Sequence, residues 1–150
     1  MHRPALSCAV LVSLCTSLSA GDPPEIPNQN ATKIKIVDNR LLVEMASAIL
    51  FPSGKAKLSE EGEEAITEVA GILKTITGRN FQVVGHTDNV PINTAQYPSN
   101  WELSAARAAS VLKLLGENGV APTQMTVLGY GEQRPLQSNE TVEGRAANRR

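Results

Sequence analysis

The sequence predicts an α+β fold, a two-layer sandwich in which helices pack on one face of a small mixed sheet. Alternating polar and apolar residues over 33–36, a turn at 38–40 and an apolar stretch over 41–45 indicate a β-hairpin. Two later apolar stretches, 81–85 and 125–129, have the length of buried strands, and helical patterns separate them from the hairpin and from each other. Strands that alternate with helices in this way share one sheet, which the helices cover.

The composition fits one globular domain with an aliphatic core. The 150 residues are 41% hydrophobic and 19% charged, and only 3% are aromatic. The formal net charge of −1 at pH 7 supplies no basic stripe that could neutralise phosphates, so we expect no nucleic acid partner.

Residues 1–20 have the layout of a signal peptide, with one basic residue, an uncharged apolar run over 5–18 and small residues at its end. We expect cleavage after Ser19 or Ala20 and release into the periplasm; the sequence leaves association with the outer membrane open. A membrane anchor is the alternative, because the uncharged stretch 4–20 reaches the lower limit of about 17 residues for a spanning helix. Both cysteines lie in this segment, and acylation at Cys15 is a further alternative.

The domain itself is expected to begin after a flexible, proline-rich linker over 21–32 and to occupy 33–150. Residues 48–58 form a connector, because Pro52 and Gly54 prevent a continuous helix. Ser59 and the glutamates that follow it predict the start of a helix that stops near Gly78. Its predicted buried stripe consists of Ile66, Val69, Ala70, Leu73 and Ile76.

The stretch 85–107 places an acidic strand end, a loop and a capped helix in succession. Asp88 follows the strand 81–85, and the loop 89–98 leads to Ser99, which with Glu102 has the spacing of a capping box. Arg107 is expected off the buried stripe, on the side of Leu103 and Ser104, from which its side chain can reach back toward Asp88. The predicted buried stripe consists of Trp101, Ala105, Ala108, Leu112 and Leu115.

The last part of the chain repeats the pattern of a strand followed by polar residues. Residues 130–132 follow the strand 125–129 as residues 86–88 follow the earlier strand, so we expect the two strand ends to converge. A final polar helix is expected over 139–150, and it includes Gly144, Arg145, Asn148, Arg149 and Arg150.

Five motifs carry a resemblance to a known family. They are FPSGKAKL at 51–58, GHTD at 85–88, SNWELSAARA at 99–108, GYGE at 129–132 and NETVEGRAANRR at 139–150. Over residues 50–150 the chain resembles the OmpA-like domain, and the SNWELS form with its long preceding loop is similar to the MotB-type version found in flagellar stator proteins. The resemblance implies a β/α/β/α/β fold and a periplasmic domain without catalytic activity. It also implies non-covalent binding of peptidoglycan through the diaminopimelate of the stem peptide.

The resemblance assigns ligand-binding roles to six residues. Asp88 and Arg107 match the family's ligand-gripping aspartate and arginine, and the remaining positions line or brace the pocket: Thr87, Asn100, Leu103 and Arg145. The pair suits the zwitterionic end of diaminopimelate, because a guanidinium binds a carboxylate bidentately and a carboxylate accepts hydrogen bonds from an ammonium.

Structural roles for the same residues are the alternatives. Asp88 and Arg107 would then form an ion pair that closes the loop, and Asn100 would only support the start of its helix. Arg145 would pair with Glu140 or Glu143 on its own helix.

The chain departs from the family after residue 150, where the family continues with a strand that completes the sheet. We therefore expect an unpaired sheet edge, which exposes backbone groups and invites association. A stator-like fragment remains an alternative function, although residues 4–20 contain no acidic proton carrier of the kind that a motor subunit needs.

Two other functional classes are alternatives. A metal hydrolase would use His86 and Asp88, but the remaining histidine is His2 in the predicted signal peptide, and catalytic zinc usually has three protein ligands. We therefore expect no catalytic residues, no metal and no cofactor. The second class is a protein-interaction module of the envelope, and the sequence leaves an outer-membrane or envelope protein partner and a homodimer open.

Overall fold

The computed structural model describes residues 11–12, 32–37 and 40–150, of which residues 11–12, 32–37, 40 and 41 are described by their backbone alone. The strands are β1 (Leu11–Val12), β2 (Thr32–Val37), β3 (Arg40–Met45), β4 (Phe81–Gly85) and β5 (Met125–Gly129). The helices are α1 (Ser47–Leu50), α2 (Glu60–Leu73), α3 (Asn100–Glu117) and α4 (Val142–Asn148), with a short 3-10 turn at Pro122–Gln124.

The described strands form one mixed sheet in the order β2-β3-β1-β4-β5. The pair β4 and β5 is parallel, with Phe81 opposite Met125 and Gly85 opposite Gly129, and the other pairs are antiparallel. Helices α2 and α3 pack with the sheet around an aliphatic core. The predicted α+β sandwich, the hairpin and the bounds of β4 and β5 are confirmed.

Strand β1 lies in the segment that the sequence predicts to be a signal peptide. Its two residues pair with Leu41 and Leu42 of β3 on one side and with Phe81 and Gln82 of β4 on the other. The signal peptide, its cleavage and the linker over 21–32 stay predictions, because the rest of these segments lies outside the described residues. No helix in the described part of the chain has the length and apolar character that crossing a membrane requires.

Helix α2 begins where the sequence predicts. The Ser59 hydroxyl accepts a hydrogen bond from the Gly62 backbone N–H at 3.0 Å, and Ile66, Val69, Ala70 and Leu73 are buried as expected. The predicted stop near Gly78 is wrong, because α2 ends at Leu73 and the chain turns there through backbone bonds to the carbonyls of the last helical turn.

Helix α3 is rotated relative to its predicted buried stripe. Trp101 is 51% exposed, and Ala105 and Leu112 are only half-buried. The residues that face the interior are instead Asn100, Leu103, Ser104, Arg107, Ala108, Val111 and Leu115.

Two glycines explain this rotation. A Cβ at Gly85 would lie 2.2 Å from the Ser104 carbonyl oxygen, and a Cβ at Gly129 would lie 2.7 Å from the Ala105 nitrogen. The ends of β4 and β5 therefore bring the α3 backbone into direct contact with the sheet at Ser104, and the face centred on that residue is buried. The expectation that Arg107 lies off the buried face is wrong for the same reason, although it does share the side of Leu103 and Ser104.

The final segment also differs from the prediction. Helix α4 ends at Asn148, so Arg149 and Arg150 are not helical. They extend into the sheet instead: the Ser47 N–H donates to the Arg149 carbonyl at 3.0 Å, and His86 and Arg150 exchange backbone hydrogen bonds of 2.8 and 3.3 Å. The expectation of an unpaired sheet edge is therefore wrong. The strand position that Arg149 and Arg150 enter lies inside the sheet, between β3 and β4.

Candidate functional site

Asp88 is fixed at the end of β4 by contacts to both carboxylate oxygens. Its side chain is almost fully buried; Oδ1 accepts a hydrogen bond from the Val90 N–H at 3.1 Å, and Oδ2 forms an ion pair with Arg149 Nη1 at 2.6 Å. The strand end that precedes Asp88 is held by the bond from the Thr87 N–H to the Gly131 carbonyl at 2.8 Å. This bond confirms the predicted convergence of the two strand ends.

Arg107 is held by the loop before α2 rather than by Asp88. Its Nε donates to the Lys55 carbonyl at 2.8 Å and its Nη2 to the Pro52 carbonyl at 3.4 Å, and the guanidinium lies 5.2 Å from the centre of the Phe51 ring. Burial lowers the pKa of Arg107, while the negative charge of Asp88 acts in the opposite direction. The guanidinium still remains charged at any physiological pH.

The two residues line the same cavity, which has a volume of about 740 Å³. Its walls come from the loop that follows α1, from the chain after β4 and from the first two turns of α3. Among the described lining residues, the charged side chains are those of Asp88, Arg107 and Arg149. The cavity therefore has two fixed positive charges and one negative charge, a balance that favours an anionic or zwitterionic ligand.

Three further predicted residues lie at this cavity. Thr87, Asn100 and Leu103 are buried in its wall. The Asn100 side-chain amide donates to the Val90 carbonyl at 3.1 Å and to the Asp88 carbonyl at 3.4 Å, so it ties the loop to the start of α3. The structural alternative for Asn100 therefore describes part of what this side chain does.

Arg145 does not lie at the cavity. Its Nη1 donates to the Asn139 carbonyl at 2.8 Å, which fixes the chain just before α4. Arg149, four residues later and beyond the end of α4, provides the guanidinium that contacts Asp88. Sequence reasoning missed it because Arg149 was assigned to the helix; the sequence does place it in the NRR motif, but its extended backbone was not foreseen.

His86, the residue considered for metal binding, is buried and stacks on Tyr130 with the ring centres 5.4 Å apart. Burial lowers its pKa to about 4, and the positive charges of Arg150 and Arg134 act in the same direction. Neither of its ring nitrogens has a hydrogen-bond partner among the described residues. Over that part of the chain, no three His, Cys, Asp or Glu side chains come together as a metal site.

Comparison with known proteins identifies the family. The sequence profile of the OmpA family matches residues 50–149. The chain belongs to the OmpA family. Motility protein B of Bacillus subtilis (strain 168) is 37% identical over 123 residues, which cover 81% of this chain and 47% of that protein. The chain spans about half the length of the curated relatives it matches.

Solved structures of this family have the same fold. The cell wall anchor of the T6SS from Pseudomonas aeruginosa superposes with a TM-score of 0.73 and 35% identity, covering 79% of this chain and 82% of that one. The periplasmic domain of Helicobacter pylori MotB superposes with a TM-score of 0.74 and 26% identity, covering 85% and 81%. The resemblance to the MotB-type version is confirmed, and the OmpA-family domain is a non-enzymatic peptidoglycan-binding domain.

Proposed function

We propose that this OmpA-family domain binds peptidoglycan non-covalently through the diaminopimelate of the stem peptide, and that it tethers the cell envelope to the wall from the periplasm. The observation that carries the proposal is the cavity of about 740 Å³ in which Asp88 lies with Arg107 and Arg149. Membership of the OmpA family supports peptidoglycan as the polymer that is bound. The charges in the cavity support diaminopimelate as the part of peptidoglycan that is recognised.

Diaminopimelate ends in an ammonium and a carboxylate on one carbon, and the cavity offers a partner to each. Since Arg107 uses Nε and Nη2 to bind the carbonyls of Lys55 and Pro52, its Nη1 and the second N–H of Nη2 form the fork that receives the carboxylate. The first turn of α3 adds the positive end of its dipole, because Asn100 and Leu103 line the same wall.

Asp88 accepts the ligand ammonium without losing its partners in the protein. Oδ1 and Oδ2 each accept one bond, from Val90 and from Arg149, and each carboxylate oxygen can accept a second. Arg149 thus orients the Asp88 carboxylate, while the ammonium binds on the open side of the cavity.

The direct test is sedimentation of purified Asp88→Ala and Arg107→Ala variants with cell wall sacculi. Each substitution leaves a charged group of the ligand unpaired, which costs about 2 to 5 kcal/mol and should abolish retention at micromolar concentration. Arg145→Ala is the matched control, because Arg145 bonds Asn139 outside the cavity and its loss should leave sedimentation unchanged. If both alanine variants fold and sediment like the parent, the site is assigned wrongly.

Two finer variations test the chemistry. Arg107→Lys should fold but bind weakly, because an ammonium cannot offer the planar fork. Free diaminopimelate should release the domain from sacculi, whereas cadaverine, which has the two amines but neither carboxylate, should not. The same competition distinguishes wall binding from the alternative function, the binding of a protein partner in the envelope. Free diaminopimelate should not displace a partner that docks outside the cavity.

A further inference from the structure

The wall of the cavity includes an apolar run that the binding of a charged ligand end does not use. Val90, Pro91 and Ile92 line the cavity beside Asp88 and Arg107. The Val90 side chain is 55% exposed, Pro91 is exposed and Ile92 is half-buried. Single exposed apolar residues are common on protein surfaces, but three in succession at the wall of a cavity form a small apolar surface that a ligand can cover.

The backbone of Val90 is fixed by the residues that form the charged site. Its N–H donates to Asp88 Oδ1 at 3.1 Å, and its C=O accepts a hydrogen bond from the Asn100 side-chain amide, also at 3.1 Å. Pro91 restricts the backbone of Val90 further, because the proline ring disfavours helical angles in the residue before it. The Val90 side chain therefore stays exposed beside the Asp88 carboxylate, since turning it inward would break one of these two bonds.

The chemistry of the ligand matches this arrangement of a charged site beside an apolar surface. In the proposed function, Asp88 and Arg107 hold the ammonium and the carboxylate that share one carbon of diaminopimelate. The part of the ligand that continues from that carbon is a chain of methylene groups, which offers nothing to a polar wall. Such a chain gains free energy when an apolar surface removes it from water.

We propose that Val90, Pro91 and Ile92 form an aliphatic subsite that takes the methylene chain of diaminopimelate. This inference rests on the proposed function, because Asp88 and Arg107 determine where the chain begins. The domain then recognises the aliphatic chain as well as the charged end. A small zwitterion that satisfies both charges but has no chain is a weaker ligand.

Two amino acids that share the charged end and differ in the chain test the subsite. Racemic norleucine and racemic alanine both carry an ammonium and a carboxylate on one carbon, and norleucine has the longer unbranched aliphatic chain. In NMR titrations of the full chain, the Kd for norleucine should be about five- to tenfold lower than the Kd for alanine, because the additional methylenes are partly buried on the subsite.

Substitutions then assign the difference to the subsite. Val90→Ser should reduce the ratio of the two Kd values to about twofold or less, and adding Ile92→Ser should abolish it, because a hydroxyl offers no apolar surface to the chain. Val142→Ser is the matched control: it also replaces an exposed valine, but in α4, and it should keep the ratio of the parent.

The failure of the subsite and the failure of the proposed function give different results. If diaminopimelate shifts the amide resonances of Asp88 and Val90 while norleucine and alanine bind the parent equally, the subsite is wrong and the proposed function stands. A ratio that survives Val90→Ser and Ile92→Ser together leads to the same conclusion. If diaminopimelate shifts neither resonance, the proposed function fails, and the subsite fails with it. The comparison in the parent decides the matter even if a variant does not fold.

Discussion

At the scale of single residues, the structure shows which of two arginines, Arg145 or Arg149, lies at the site, a choice that the sequence could not make. Arg145 was predicted at the site and Arg149 was not, yet Arg149 contacts Asp88. The sequence could not decide between them, because the choice depends on where α4 ends and on how the chain then enters the sheet. Asp88 and Arg107 were predicted from the family motifs, and the structure places both at one cavity. The sequence did not reveal that the carbonyls of Lys55 and Pro52 hold the Arg107 guanidinium.

His86 makes a prediction at the same scale. Because its folded-state pKa is lowered to about 4, the unfolded chain binds a proton at higher pH than the folded chain does. The stability that the neutral His86 contributes is therefore fully present above about pH 6.5, the pKa of histidine in the unfolded chain, and it is lost as the pH falls toward 4. Urea unfolding should show about 2 kcal/mol less stability at pH 5 than at pH 7 from this group. His86→Phe keeps an aromatic ring against Tyr130 and should remove that part of the loss; equal losses in parent and variant would contradict the assignment.

At the scale of elements, strands were easier to predict than the buried face of a helix. Strands β4 and β5 are short, apolar and bounded by polar residues, so their bounds follow from local sequence. Which face of α3 is buried depends on two glycines in other elements, Gly85 and Gly129, and a helix considered alone contains no sign of them. Trp101 was placed in the buried stripe by its apolar character, although half of it is exposed.

A pair of alanine substitutions tests the contact between α3 and the sheet. Gly129→Ala should destabilise the domain by about 1 to 3 kcal/mol, because the new Cβ would lie 2.7 Å from the Ala105 nitrogen and 2.8 Å from the Ser104 hydroxyl. Gly71→Ala, in α2, meets no atom within 4 Å and should stabilise by about 0.5 to 1 kcal/mol. Denaturant midpoints measure both. If Gly129→Ala left the free energy of unfolding unchanged, α3 could move away from the sheet at little cost in free energy.

At the scale of the whole molecule, the family motifs predicted the fold. The exception was the place in the sheet that the last residues, Arg149 and Arg150, enter. The sequence suggested a bare edge, since strand order is not readable from strand patterns. The paired residues instead place β1 and the backbone of Arg149 and Arg150 between the chain of β3 and that of β4. These segments therefore join the hairpin to the β4 and β5 pair in one sheet.

The ion pair between Asp88 and Arg149 joins residues 61 positions apart, and this distance along the chain has a kinetic consequence. We expect a contact that closes so long a loop to form late on the folding pathway, after the local helices. Arg149→Ala should therefore leave the refolding rate nearly unchanged and raise the unfolding rate about fivefold, for a loss near 1 kcal/mol. Stopped-flow measurements would show this, and slower refolding would contradict it. On this expectation, the cavity that we propose to bind the wall is complete only after this late contact has formed, so a chain that is still folding should not yet bind the wall.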